Sequence, residues 1–300
     1  MSFSSEVKRE LAELSPRPAC CAAAQLYGML ELGHAFSAAE ISLQTEQEAV
    51  ADRYIKLLGA VCGAQGAQRH EPARRGGYFL AAVEQSPERL RVLERFGHTA
   101  RDINVRLNRA NLECESCAAA YLRGAFLSCG VITNPAADYH MEFSVPYLAL
   151  SRDLQTLLRE CGFHAKTVCR KGIYVVYFKE SEQIEDCLTF MGATAASLEL
   201  MSVKMVKDIR NNANRIANCE SANIDKTVAA AAVHAEAVRK IAAHGGLELL
   251  PEELRELAQL RLDNPDLSLR ELGEALSPPL SRSGVNHRLK RIVAFAETIE

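Results

Sequence analysis

An internal repeat constrains this chain more than any other feature. Ala22-Ala23-Ala24-Gln25-Leu26-Tyr27-Gly28-Met29-Leu30 can be laid over Ala118-Ala119-Ala120-Tyr121-Leu122-Arg123-Gly124-Ala125-Phe126, so that Gly28 falls on Gly124, 96 residues later. Each segment is followed by an alternating, strand-like stretch, Glu40–Thr45 and Tyr139–Val145. An amphipathic helix comes next, Glu48–Cys62 and Leu148–Cys161, running into Gly63 and Gly162 as helix ends prefer. A second β-rich stretch follows, Tyr78–Val83 and Ile173–Phe178. A closing helix is opened by Ser86-Pro87-Glu88 in one copy and Ser181-Glu182-Gln183 in the other, with serine as the expected N-cap. Five elements in one order predict two copies of an α-β-β-α-β-β-α unit, at about 20–100 and about 112–200, within an α+β domain of residues 1–200.

The opening helix of each copy has small residues four apart, Ala24 with Gly28 and Ala120 with Gly124. Residues at i and i+4 share a helix face, and small ones let two backbones approach. The two helices are therefore expected to pack on each other about a pseudo-twofold axis.

The doubled pattern resembles the LAGLIDADG homing-endonuclease fold, whose paired helices form a seam beneath a DNA-straddling saddle of two sheets. The resemblance implies a divalent metal held by an acidic residue near the end of each seam helix. Here those positions fall on Gly33 and Cys129. Neither supplies the hard oxygen ligand that Mg²⁺ needs. Glu31 lies two residues upstream, but Leu127 takes its place in the second copy. A scaffold without its metal pair is expected: no catalytic residue, no metal and no cofactor. Arg69, Arg74 and Arg75 in copy one, with Lys166, Arg170 and Lys171 in copy two, lie in or beside β segments. Of these, Arg75, Arg170 and Lys171 are carried as secondary nucleic-acid contacts; the alternative is that they keep a solvated sheet soluble.

Overall charge does not decide the partner, since 35 Lys+Arg stand against 38 Asp+Glu. No apolar run reaches the roughly 18 residues of a membrane span. The opening Met1-Ser2-Phe3-Ser4 has no secretory pattern. A cytoplasmic, nucleoid-associated protein with no membrane and no small-molecule substrate is expected. Ten cysteines are too dilute for a disulfide scaffold. Cys20-Cys21 and Cys114-Glu115-Ser116-Cys117 sit at matching ends of the two seam helices and would suit zinc if those ends converged. An adjacent cysteine pair chelates poorly, so the four are read as small buried hydrophobes instead. The His residues show no i, i+4 pairing, and no glycine-rich phosphate loop is present.

From Pro251 the character changes. Pro251-Glu252-Glu253 opens a helix with Leu254, Leu257 and Ala258 inside, stopped at Asn264-Pro265. Ser268-Leu269-Arg270-Glu271 has capping-box spacing, and Ser277-Pro278-Pro279 breaks the helix it starts. A third helix begins near Ser281 or Ser283, with Val285, Leu289, Ile292, Val293 and Ala296 as its inner stripe. Three short helices with a tight last turn read as a helix-turn-helix over 247–300, and a fragment starting near Gly246 is expected to fold alone. Ser281, Arg282, Ser283, Asn286, His287, Arg288, Lys290 and Arg291 form the expected DNA-binding set, since that stretch holds four cations and no acid. Ser283, Asn286 and His287 suit base edges, and the longer Arg282, Arg288, Lys290 and Arg291 suit phosphates. Between the domains, 201–246 reads as a helical linker. Arg210, Asn214 and Asn218 share a helical face with Arg215 beside them, a further candidate contact surface or a hydrogen-bonded hinge. Thr227–Ala243 is expected as a connecting helix stopped by Gly245-Gly246.

Several short segments are similar to the WhiA family. They are Ser2-Phe3-Ser4-Ser5-Glu6-Val7-Lys8, Tyr121-Leu122-Arg123-Gly124-Ala125-Phe126, Arg210-Asn211-Asn212-Ala213-Asn214-Arg215, Asn218-Cys219-Glu220 and Ser281-Arg282-Ser283-Gly284-Val285-Asn286-His287-Arg288-Leu289. Cys129 is a departure, since the family more often has a small residue there. The resemblance spans the chain and implies a non-enzymatic bacterial protein that binds double-stranded DNA. Such proteins act in transcription regulation, sporulation, cell division and chromosome segregation. The rival reading is an interaction scaffold for transcription or cell-division proteins.

Overall fold

The computed structural model describes residues 2–72, 77–102 and 105–299. It divides into two compact units, Met1–Lys207 and Asp208–Glu300. In the first, copy one runs α2 (Ala19–Glu31), β1 (Ala35–Phe36), β2 (Ile41–Thr45), α3 (Glu48–Cys62), β3 (Ala67–His70), β4 (Phe79–Val83) and α4 (Ser86–Arg95). Copy two repeats it as α5 (Cys117–Cys129), β5 (Gly130–Ile132), β6 (Met141–Val145), α6 (Leu148–Glu160), β7 (Lys166–Arg170), β8 (Ile173–Phe178) and α7 (Ser181–Met191). The sheets are antiparallel and have the same order, β1-β2-β4-β3 and β5-β6-β8-β7. The duplicated α+β fold is as the repeat predicts.

The seam explains why two copies make one domain. A Cβ on Gly28 would collide with the Tyr121 carbonyl oxygen, and one on Gly124 would collide with that of Gln25. These clashes are the same contact seen from either side of the pseudo-twofold. Around it Leu26, Tyr27, Met29 and Leu30 of α2 and Tyr121, Leu122, Ala125 and Phe126 of α5 are fully buried. α3 ends where expected, with Gly63 in the left-handed region at φ 64°, donating its N–H to Gly59 O at 3.1 Å. Ser86 and Ser181 do not cap: each is the first helical residue, after Gln85 and Glu180, and neither helix has a side-chain cap.

An additional helix, α1 (Phe3–Glu13), precedes the repeat. Ser2 caps it, and Phe3, Val7 and Leu11 enter the core. Its Glu10 carboxylate accepts from the backbone N–H groups of Ala195 (2.8 Å) and Ala196 (3.0 Å), capping the start of α8 (Thr194–Ala243). The connecting helix expected over Thr227–Ala243 is the end of this one 50-residue helix. Ala193, Ala196 and Leu200 close the first core. Much further along, Ala237, Val238 and Ile241 enter the core of the second unit.

That second core also takes side chains from α9 (Glu252–Asp263), α10 (Leu269–Ala275) and α11 (Arg282–Glu297). It therefore begins in α8 rather than at Gly246, and a chain starting there would lack three of its buried side chains. Arg261 is 1% exposed and donates to the carbonyls of Pro265 (3.0 Å) and Leu267 (2.9 Å), fixing the bend after α9.

The seam glycine contrasts with one in open space. Gly124→Ala drives a methyl into backbone and is expected to cost about 1–3 kcal/mol or more. Gly59→Ala has nothing within 4 Å of the added carbon and lies inside α3, so it should stabilise by about 0.5–1 kcal/mol. All 8 tyrosines lie in the first unit and there is no Trp, so intrinsic fluorescence during urea unfolding follows that unit alone.

Candidate nucleic-acid interface

The helix-turn-helix is set by local chemistry. Ser268 Oγ accepts from Glu271 N at 3.3 Å while Glu271 Oε2 accepts from Ser268 N at 2.8 Å, a complete capping box at the head of α10. Gly273 permits the tight return: a Cβ there would collide with the Leu280 carbonyl, and its own carbonyl accepts from Leu280 N at 2.9 Å. Ser281 is the N-cap of α11, accepting from Gly284 N at 3.2 Å and bonding Ser283 Oγ at 3.0 Å. Its hydroxyl thus serves the helix before any ligand. Val285, Leu289, Ile292 and Ala296 are buried, as their spacing predicts.

The opposite face divides the expected contact residues into two groups. Arg282, His287 and Lys290 are exposed and Asn286 is half-buried; their side chains make no hydrogen bond or ion pair to any described residue. Arg288 and Arg291 are engaged instead. Arg288 Nη1 donates to the Glu253 carbonyl at 3.0 Å, and Arg291 Nη1 meets Glu253 Oε1 at 2.6 Å. These two arginines fasten the start of α9 to α11. Sequence spacing cannot reveal this, since the partner lies 35 residues upstream of Arg288.

Arg210, Asn214, Arg215 and Asn218 are all exposed on α8. At about 1.5 Å per residue, they lie roughly 30–42 Å along the helix from Val238 in the second core. They form a surface of their own rather than part of the α11 face. Lys171 and Gly172, at φ 50° and 83°, make the two-residue turn between β7 and β8. Arg170 and Lys166 share the outward face of that sheet with Glu142, and Arg170 lies 3.9 Å from its carboxylate. The matching face of the first sheet presents Ser42, Gln44, Leu80, Ala82, Gln68 and His70, with no Lys or Arg among the described residues. Arg69 points the other way and is held by Glu48, Asp52 and Glu71 at 2.6–2.9 Å. Arg74 and Arg75 lie outside the described residues. The saddle is therefore not a continuous basic surface among the described residues.

At the other end of the seam stand the two metal-equivalent positions. A Cβ on Gly33 would lie 2.8 Å from Met29 O and 2.9 Å from Ser42 O, leaving no room for an acidic side chain without backbone movement. Cys129 ends α5, and burial pushes its thiol up to about 12. Glu31 is sealed in the seam, its Oε2 accepting from Tyr121 Oη at 2.7 Å. Oε1 has no hydrogen-bond partner among the described residues, and His98 Nε2 stands 3.9 Å away. Burial drives the Glu31 carboxyl up to about 8, opposed by hydrogen bonds from Tyr27 and Tyr121 and assisted by Asp153. Burial lowers His98, against the pull of Asp102, and His98 Nε2 bonds Tyr27 Oη at 2.9 Å.

Fold and site together define a helix-turn-helix protein built on a LAGLIDADG-like scaffold whose metal positions hold no carboxylate. The model of the WhiA C-terminal HTH domain matches residues 213–296, and that of the WhiA LAGLIDADG-like domain matches residues 118–210. "Probable cell division protein WhiA" of Alkaliphilus metalliredigens is 36% identical over 99% of this chain and 98% of its own length. The protein of that name from Heliobacterium modesticaldum is 38% identical over 99% and 96%. The crystal structure of full-length DUF199/WhiA from Thermatoga maritima superposes with a TM-score of 0.59 at 25% identity, covering 99% and 98% of the two chains. The chain belongs to the WhiA family.

The buried carboxyl makes a pH prediction. The unfolded chain ionises Glu31 above its ordinary 4.5, whereas the folded one holds the proton to about 8. The folded state binds more protons in that window, so stability falls as pH rises through it and levels above it. His98 acts below about 6.5, where the folded state resists protonation. Glu31→Gln should thus abolish a loss of up to about 2 kcal/mol between pH 6.5 and 8. Urea midpoints by tyrosine fluorescence at both pH values check this; parallel wild-type and variant curves would refute it.

Proposed function

We propose that this protein binds double-stranded DNA sequence-specifically through α11, without cleaving it, and acts in the cytoplasm as a regulator of transcription or of cell division and chromosome segregation. The observation that carries the reading is the unengaged set on α11: Arg282, Asn286, His287 and Lys290 stand together on an exposed helix face, free of protein partners among the described residues. A recognition helix needs donors toward base edges and cations toward phosphates, and this face offers both. The names of the relatives support the cellular role. Gly33 and Cys129 support the absence of cleavage, since neither can hold Mg²⁺. Exposed Met205, Ile209, Ile216 and Ile224 on α8 favour a protein partner as a second reading.

Asn286→Ala should narrow the gap between specific and random duplex by about 1–3 kcal/mol. Lys290→Ala should weaken both alike and flatten the salt slope by about 0.9. Titrations at two salt concentrations distinguish them; if neither variant changes binding, the protein-partner reading replaces this one. Arg288→Ala and Arg291→Ala, by contrast, should act mainly through loss of the α9–α11 fastening.

Supercoiled plasmid incubated with the protein and Mg²⁺ or Mn²⁺ should remain intact. Nicking that disappears on Glu31→Gln would overturn the non-enzymatic reading.

A further inference from the structure

The seam that buries Glu31 at one end gathers four cysteines at the other. Cys20 and Cys21 occupy the first turn of α2, Cys117 is the first residue of α5, and Cys114 lies three residues before it. Their sulfurs all lie within 4.8 Å of one another, and all four are free thiols. Cys114 Sγ stands 3.5 Å from Cys21 Sγ, 3.6 Å from Cys20 Sγ and 3.5 Å from Cys117 Sγ, while Cys21 and Cys117 are 4.0 Å apart.

These distances have a geometric meaning. A Zn–S bond of about 2.3 Å places tetrahedral ligands about 3.8 Å apart edge to edge. The observed spacings bracket that edge, and a tetrahedron of this size encloses one ion. Disulfide bonds would need sulfurs at about 2.0 Å. The adjacent pair, poor as an isolated chelate, succeeds because Cys20 and Cys21 both converge on Cys114 rather than gripping an ion alone. Cys114-Glu115-Ser116-Cys117 supplies the complementary knuckle, closed by Cys117 N donating to Cys114 O at 2.9 Å.

The surroundings fit the charge such a centre has. Four thiolates around Zn²⁺ leave two net negative charges. Both seam helices present the positive ends of their dipoles there. Arg123 is within electrostatic range of Cys21 and of Arg53. Arg53 is 6% exposed, its Nε has no hydrogen-bond partner, and neither arginine forms an ion pair with a described residue. Arg53 is buried and Arg123 half-buried, and negative charge at Cys21 favours the Arg123 guanidinium that feels it.

We propose that Cys20, Cys21, Cys114 and Cys117 bind a single zinc ion that clamps the N-terminal ends of α2 and α5. Binding exchanges the thiol protons for the metal: each ligand still protonated gives one proton to solvent, and no redox change occurs. The clamp is structural, since four protein ligands leave no open position for substrate. It would hold the seam at the end opposite Gly33 and Cys129.

Full-length protein purified reduced from zinc-supplemented cells, then passed over a chelating resin, should retain about one zinc per chain by elemental analysis. Cys114→Ser with Cys117→Ser should lose it, whereas Cys169→Ser with Cys219→Ser, both exposed elsewhere, should keep it. Cobalt substitution of the unaltered protein gives a readout independent of whether variants fold. It should show intense visible bands and thiolate charge transfer characteristic of a tetrahedral four-sulfur site. Stripping the metal with a strong chelator should lower the tyrosine-monitored melting midpoint by about 5–10 °C, and zinc should restore it. Substoichiometric zinc in the unaltered protein, iron in its place, a cobalt spectrum with oxygen or nitrogen ligands, or zinc retained by the double cysteine variant would each overturn the assignment.

Discussion

Two helix backbones touch where Gly28 meets the Tyr121 carbonyl and Gly124 meets that of Gln25, and the first unit is arranged around that contact. Neither repeat could bury its opening helix alone. Packed against its counterpart, each helix hides nearly all its apolar surface, and the sheets are carried symmetrically on either side. Close approach also dictates what lies at the ends. Side chains one or two turns from the glycines are forced into proximity, so helix starts bring four sulfurs together and helix ends enclose Glu31 between Tyr27, Tyr121 and His98.

The same seam leaves the two metal-equivalent positions of the LAGLIDADG-like domain without a carboxylate. Gly33 is pressed against the Met29 and Ser42 carbonyls, and Cys129 is a neutral thiol. Glu31 lies close in sequence but is enclosed, and its carboxyl keeps its proton at neutral pH. Hard-cation binding requires ionised, accessible oxygen ligands, which neither helix end supplies. The outward sheet faces reinforce the point, with Lys166 and Arg170 accompanied by Glu142 in one and no lysine or arginine among the described residues of the other. Unengaged cations are instead found together on α11.

That helix also shows what charge counting leaves out. Its four cations all read as phosphate contacts, yet Glu253 also holds Arg288 through its carbonyl and Arg291 through its carboxylate. An exposed ion pair of this kind is worth little by itself. Its use is geometric: it keeps α9 against α11 while leaving Arg282, His287 and Lys290 on the open side.

Features built from neighbours in sequence were legible without coordinates. The repeat is legible by laying one copy over the other, and the αL glycine after α3, the capping box at Ser268 and the apolar stripe of α11 follow from spacing within a few residues. Ser86 and Ser181 show the limit, because a serine before a helix caps it only if its backbone stays outside the first turn. Other features join residues far apart and waited on the tertiary structure. Glu10 caps α8 across 185 residues, Glu253 engages two arginines of α11, and Val238 brings the long helix into a core it shares with Leu250, 12 residues later. The cysteines fall in the same class: their types and spacing were visible, but only the seam decides that Cys20 and Cys21 meet Cys114 and Cys117, because helix packing sets the distance between side chains some 90 residues apart.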